Sequence, residues 1–217
     1  MEFDHEWAEQ KLDMERRHGQ LEKYIAEYLP ELKYMDPGLV IDIGPGPGDF
    51  MAMCESMGHS SLGVDGNRDG EGGMGGAYIS RCEEYWEEFG VDVWQCGLDD
   101  FLFSDRKPAS NSCCLINSRG SIEQALSHCM VGAPHHKHHK ATLLDWNRES
   151  GLVWLESFFS ESAKFLRPDG ILLIHSNGTS STDAWYSNTV VSLAEEAGFD
   201  LSMKQGHRLH KWTMPSN

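Results

Sequence analysis

Residues 40–48 read Val-Ile-Asp-Ile-Gly-Pro-Gly-Pro-Gly, and no other segment constrains the fold as strongly. The apolar run from Leu39 to Ile43 is short and stops at glycines, the pattern of a buried strand. Phe50 to Met57, closed by Gly58, predicts a helix with a glycine cap. Between them, Gly44, Gly46 and Gly48 supply a tight turn whose backbone a ligand can approach without meeting a side chain.

The same alternation runs through the rest of the chain. Strands are predicted at 61–64, 91–95, 113–116 and 171–175, with helices at 78–89, 122–130, 152–166 and 184–197. Arg167-Pro-Asp-Gly170 reads as a turn. The chain closes on two strands, 199–203 and 207–213, joined around Gln205-Gly206 with no helix between them. Strands separated by helices form parallel sheets, so the expected fold is α/β and doubly wound. It has a seven-stranded, mostly parallel sheet, its last strand antiparallel, helices on both faces and an N-terminal helical cap. Residues 1–36 form that cap, an N-terminal helical extension or lid packed outside the main core. In it Trp7, Met14, Leu21, Ile25 and Tyr28 share one helical face. Residues 37–217 form the main domain.

Composition narrows the function. The 217 residues carry 18 Lys and Arg against 34 Asp and Glu, a formal charge of −16. That balance opposes a general grip on nucleic acid or on an anionic membrane. The apolar runs are too short to span a bilayer, and the acidic N-terminus is unlike a signal peptide. The six cysteines show no CxxC pair and lie mostly in apolar stretches, which predicts reduced thiols and a cytoplasmic protein.

A second acid follows the glycine loop. Asp65 ends the second strand, where a carboxylate accepts the hydroxyl protons of a ribose in doubly wound nucleotide sites. The spacing Gly44-x-Gly46-x-Gly48 departs from the dinucleotide fingerprint G-x-G-x-x-G, and Asp42 would repel a pyrophosphate. The stretch resembles motif I of the class I S-adenosylmethionine-dependent methyltransferases. Trp94–Phe101, Leu115–Gly120 and Phe165–Ile174 resemble later motifs of that superfamily in the same order.

The resemblance implies S-adenosylmethionine as cofactor. Asp42 would lie near its methionyl part, Gly44, Gly46 and Gly48 around the amino acid and ribose, and Asp65 with the adjoining Gly66 at the ribose hydroxyls. Gly97 and Leu98 would border the adenine. Many relatives carry an acid where Gly97 stands here, a place Asp99 would fill only from a shifted loop. Asn117 and Ser118 would lie where cofactor and acceptor meet, with Arg119 orienting the acceptor. The run His135-His-Lys-His-His-Lys140 is internal to the chain, and its two lysines oppose a bound cation, so no metal site is expected. His136 or His139 is the candidate general base for a hydroxyl acceptor; the competing reading of the run is a solvated connection.

The expected activity is methyl transfer to oxygen or nitrogen of a small-molecule acceptor, with neither nucleic acid nor membrane as partner. A non-catalytic binding or regulatory module, a nicotinamide oxidoreductase and an aminopropyltransferase are the alternatives.

Overall fold

The computed structural model describes residues 21–66, 75–122, 148–175, 184–206 and 209–216. The segments that are described contain α1 (Leu21–Tyr28), a 3-10 turn (Pro30–Lys33), β1 (Leu39–Ile43), α2 (Asp49–Ser56), β2 (Ser60–Asp65) and α3 (Gly75–Phe89). Next come β3 (Val93–Gln95), α4 (Leu98–Phe103), β4 (Cys113–Arg119), α5 (Arg148–Phe165) and β5 (Leu166–His175). The chain ends with α6 (Ala184–Glu196), β6 (Asp200–Gln205) and β7 (Leu209–Thr213).

The seven strands make one sheet in the order β3-β2-β1-β4-β5-β7-β6. All neighbours from β3 to β5 pair in parallel, and β7 runs antiparallel between β5 and β6. This is the expected doubly wound sheet. The chain winds outward from β1 to β3, then crosses to β4 and β5 on the other side. The reversal falls between β1 and β4, and a crevice for ligands opens at the carboxyl ends of strands at such a switch point.

Both faces are covered, so the central strands are apolar almost throughout. On one face, Tyr24, Ile25, Leu29 and Leu32 of the N-terminal segment pack with Phe50 and Cys54 of α2 against Val40, Leu115 and Leu173. On the other, Trp154, Leu155, Phe158 and Phe159 of α5 meet Ile41, Ile116, Leu172 and Trp212, joined by Phe101 of α4 and Val190 of α6. Cys113 and Cys114 divide between these two faces, as adjacent strand residues must. Cys54, Cys82, Cys96, Cys113 and Cys114 are buried free thiols; Cys129 lies outside the described residues. Burial pushes the Cys113 thiol up to about 12 and raises Cys114 as well.

Some boundaries differ from expectation for physical reasons. Residues 21–33 of the expected cap pack into the core, where Ile25, Leu29 and Leu32 are as buried as any strand residue; residues 1–20 lie outside the described residues. Trp7 and Met14 of its expected apolar face lie outside the described residues. β4 runs on to Arg119 because β1 and β5 pair with it on both sides through Ser118 and His175. β3 pairs only with β2 and begins later, at Val93. The expected turn at Arg167–Gly170 is a distortion within the start of β5, with Asp169 left-handed and the register jumping from Leu166 to Ile171. The short helix α4 was not expected; Leu98, Phe101 and Leu102 supply its buried side. Of the helix expected at 122–130, only Ile122 is described.

Candidate functional site at the carboxyl edge of the sheet

The glycine loop leaves β1 and enters α2 through three left-handed glycines, with φ of 69° at Gly44, 54° at Gly46 and 87° at Gly48. Two of them are required by the protein's own packing. A Cβ on Gly44 would stand 1.9 Å from Ser121 Oγ, and one on Gly48 would crowd Val91 and Trp86 at 3.1 and 3.2 Å. The left-handed conformation excludes side chains there in any case. The loop is tied down by Gly44 N–H donating to Val64 O at 2.8 Å and by Trp86 Nε1 of α3 donating to Gly46 O at 2.7 Å. Its shape is therefore set before any ligand arrives.

Asp65 stands at the end of β2, paired in register with Gln95 of β3. The next residue, Gly66, faces the β3–α4 connection: a Cβ on it would lie 3.5 Å from Cys96 O and from Gly97 Cα. Gly97 caps α4 and leads into buried Leu98. Asp100 Oδ2 lies 3.5 Å from where a Cβ of Gly97 would stand. An acid is thus present beside Gly97, reached from one helical turn further along. Sequence reasoning named Asp99 for that place, whose side chain is outside what is described.

Asp42 is 3% exposed and receives a hydrogen bond from Asn117 Nδ2 at 2.7 Å. Burial pushes its carboxyl up to about 6, against the pull of the Asn117 hydrogen bond and the Arg119 charge. A ligand in the loop would therefore meet the charge of Asp42 but almost none of its surface. Asn117 Oδ1 in turn accepts from Tyr24 Oη of α1 at 3.0 Å. The Tyr24 ring lies parallel to the imidazole of His175, centroids 6.0 Å apart, with the Arg119 guanidinium 5.6 Å from the ring centre. Tyr24 and His175 were missed in the sequence. Tyr24 was recoverable, since it falls on the helical face already marked by Leu21, Ile25 and Tyr28.

Asp42, Gly44, Gly46, Gly48, Asp65, Gly66, Gly97, Leu98, Asn117, Ser118 and Arg119 thus gather at the carboxyl ends of β1 to β4. Within that set the structure separates Ser118 from Asn117. Ser118 is in register with Ile43 and Ile174, on the opposite face from Asn117, and its buried Oγ finds no hydrogen-bond partner among the described residues. His136 and His139 lie outside the described residues. Among the described residues no cluster of His, Cys, Asp and Glu could hold a metal ion. A separate groove of about 550 Å³, lined by Glu31, Asp36, Arg167 and Thr213 among others, opens at the other end of the sheet. Its Arg167 is already bonded to the carbonyls of Asp36 and Pro37.

A glycine loop between two acids at the switch point of a doubly wound sheet suits a ligand with vicinal hydroxyls and a cationic end. The fold is shared with solved structures described as S-adenosylmethionine-dependent methyltransferases. The chain is similar over its whole length to a Methanococcus maripaludis protein described as a methyltransferase of that kind, with a TM-score of 0.60, 13% identity and 95% of that chain covered. An S-adenosylmethionine-dependent methyltransferase from Aquifex aeolicus matches over 98% of each chain, with a TM-score of 0.54 and 15% identity. An O-methyltransferase family protein from Burkholderia thailandensis matches 97% of this chain and 60% of its own, with a TM-score of 0.55 and 14% identity. No family model and no curated protein sequence matches the chain. At identities this low the likeness is one of fold.

Proposed function

We propose that the chain is an S-adenosylmethionine-dependent methyltransferase that methylates oxygen or nitrogen on a small molecule. The observation that carries this reading is the placement of Asp42, the glycine loop and Asp65 along one edge of a sheet with the methyltransferase strand order. The residues fit the cofactor. Its sulfonium and ammonium are favoured by the buried charge of Asp42, and a pyrophosphate in the same place would be repelled. Asp65 would accept the ribose hydroxyls, with Gly66 leaving room beside it. The backbone around Gly97 and Leu98 would border the adenine, where Asp100 would supply an acceptor for the exocyclic amine in place of the acid that Gly97 lacks.

When bound, S-adenosylmethionine supplies a methyl group already activated toward a nucleophile. What remains for the chain is to hold the acceptor in line and keep water out. Arg119, at the end of β4, would orient an acceptor carboxylate or hydroxyl, with Asn117 on the same face of the strand and Ser118 on the other. A hydroxyl acceptor also needs a base, for which His136 and His139 are the candidates; an amine needs only to lose its proton to solvent. The charge of −16 favours a small acceptor over a polyanion. A cytoplasmic location agrees with the cysteine usage, and among the described residues no helix is long and apolar enough to cross a membrane.

Conversion of S-adenosylmethionine to S-adenosylhomocysteine over a panel of small alcohols, carboxylates and amines tests the proposal. Acceptor-dependent turnover is expected, falling at least tenfold at subsaturating cofactor in Asp65→Ala, which loses charge-assisted hydrogen bonds worth about 1.5–3 kcal/mol each. Cofactor binding with no turnover on any acceptor would favour the non-catalytic reading.

A further inference from the structure

A polar cluster crosses the sheet beneath α1. Asp42 of β1 and Asn117 of β4 stand opposite each other, and Arg119 and His175 form the next pair along β4 and β5. Tyr24 enters this cluster from α1, 93 residues away in sequence from the asparagine it binds. Its phenol donates to Asn117 Oδ1, and Asn117 Nδ2 donates to Asp42 Oδ1; all three side chains are buried. A carboxamide has one donating end and one accepting end. With the accepting end taken by the phenol proton, the donating end is turned toward Asp42.

We propose that Tyr24 is a positioning residue for the acid of this site, locking the Asn117 carboxamide in the orientation that serves an ionised Asp42. The purpose of the lock rests on the cofactor reading above, since an ionised acid here matches a cationic ligand; its existence does not. A protonated Asp42 would need an acceptor for its own proton. Were Asn117 to be that acceptor, the amide would have to turn over and present its NH2 to the phenol oxygen, leaving the phenol proton without a partner in a buried place, which is costly. With the amide held as it stands, its NH2 donates to a carboxyl oxygen that is a stronger acceptor when the acid is ionised. The chain Tyr24–Asn117–Asp42 therefore opposes protonation of the acid for as long as α1 is docked. Docking of the N-terminal helix and readiness of the site for a cation become one event.

The other groups around Asp42 are accounted for. Arg119 from β4 favours the ionised acid. Cys54 from α2 is held as a neutral thiol by burial and by the Asp42 charge. His175 from β5 lies parallel to the Tyr24 ring, centroids 6.0 Å apart, and also meets Tyr28, at 5.6 Å between centroids.

The test is a carboxyl titration of the full chain labelled with 13C-aspartate, the Asp42 signal being identified by its loss in Asp42→Asn. The wild-type midpoint is expected at about 6. Tyr24→Phe keeps the ring and removes only the hydroxyl, and should raise the midpoint by about one pH unit. Tyr28→Phe, on the same helix and against the same histidine, should leave it within about 0.3 units. Asn117→Leu, which removes the donor itself, should raise it further than Tyr24→Phe. An unmoved midpoint in Tyr24→Phe or in Asn117→Leu, or an equal shift in Tyr28→Phe, would overturn the proposal. No cofactor is present in this measurement. Failure of the wild type to bind S-adenosylmethionine would count against the functional reading and leave the titration standing.

Discussion

At the scale of single residues, Asp42 shows how a site can be held against stability. Burial penalises its charge and pushes its carboxyl up to about 6 in the folded chain, from the ordinary value of 3.8. The folded state therefore holds this proton more tightly than the unfolded state. The resulting stabilisation is complete below about pH 3.8 and is lost as pH rises through about 6. At pH 7.5 the ionised acid costs up to about 3 kcal/mol, from roughly two pH units at 1.36 kcal/mol each. Asp42→Asn should therefore raise the thermal midpoint at pH 7.5, gain nothing at pH 4, and weaken binding of a cationic cofactor. Scanning calorimetry at the two pH values checks the first two effects; a midpoint lowered at pH 7.5 would show that the charge is better compensated than its burial implies. Asp42, Asp65 and the glycine loop were legible in the sequence because their chemistry is local, a strand end with its turn. Tyr24, His175 and Asp100 come beside these residues only through folding; spacing marked the helical face of Tyr24 but not what that face meets.

At the scale of elements, the stretch from α1 through the 3-10 turn is held at two points. Tyr24 is bound to Asn117 near the site. At the other end, Lys211 of β7 donates through Nζ to Tyr28 O at 3.0 Å and to Glu31 Oε1 at 2.9 Å, its side chain 4% exposed. A cation is well placed there, at the carbonyl end of α1. Lys211→Met keeps much of the apolar stem and removes the charge, leaving the Tyr28 carbonyl unsatisfied. Stability should fall by about 1–3 kcal/mol, and amide exchange should quicken across Leu21–Lys33 before it does in the central strands. Exchange that quickens equally everywhere would place the effect in the sheet and not in the helix. The sequence pattern located this helix by its apolar spacing but could not say that the segment belongs to the core. That property depends on Val40, Leu115 and Leu173 presenting a bare sheet face for it to cover. The extra length of β4 was hidden for a related reason: Asn117, Ser118 and Arg119 are polar, and only pairing on both sides keeps them in the strand.

At the scale of the whole molecule, strand order and charge govern what can bind. Apolar strands alternating with helices, followed by a hairpin with no helix between its strands, made the winding and the antiparallel last strand readable from sequence. Nothing in that alternation fixed the position of β7 between β5 and β6, which the pairing with His175 and Gln205 decides. The net charge of −16 opposes polyanions. Filter binding to RNA or DNA at physiological salt should therefore show no specific retention, and methylation of a nucleic acid would refute the proposed small acceptor. Isothermal calorimetry on the intact chain with S-adenosylmethionine, S-adenosylhomocysteine and NAD tests directly whether this edge of the sheet takes S-adenosylmethionine and not a dinucleotide. Saturable heats for the first two and none for NAD are predicted; a saturable heat for NAD with none for S-adenosylmethionine would contradict it.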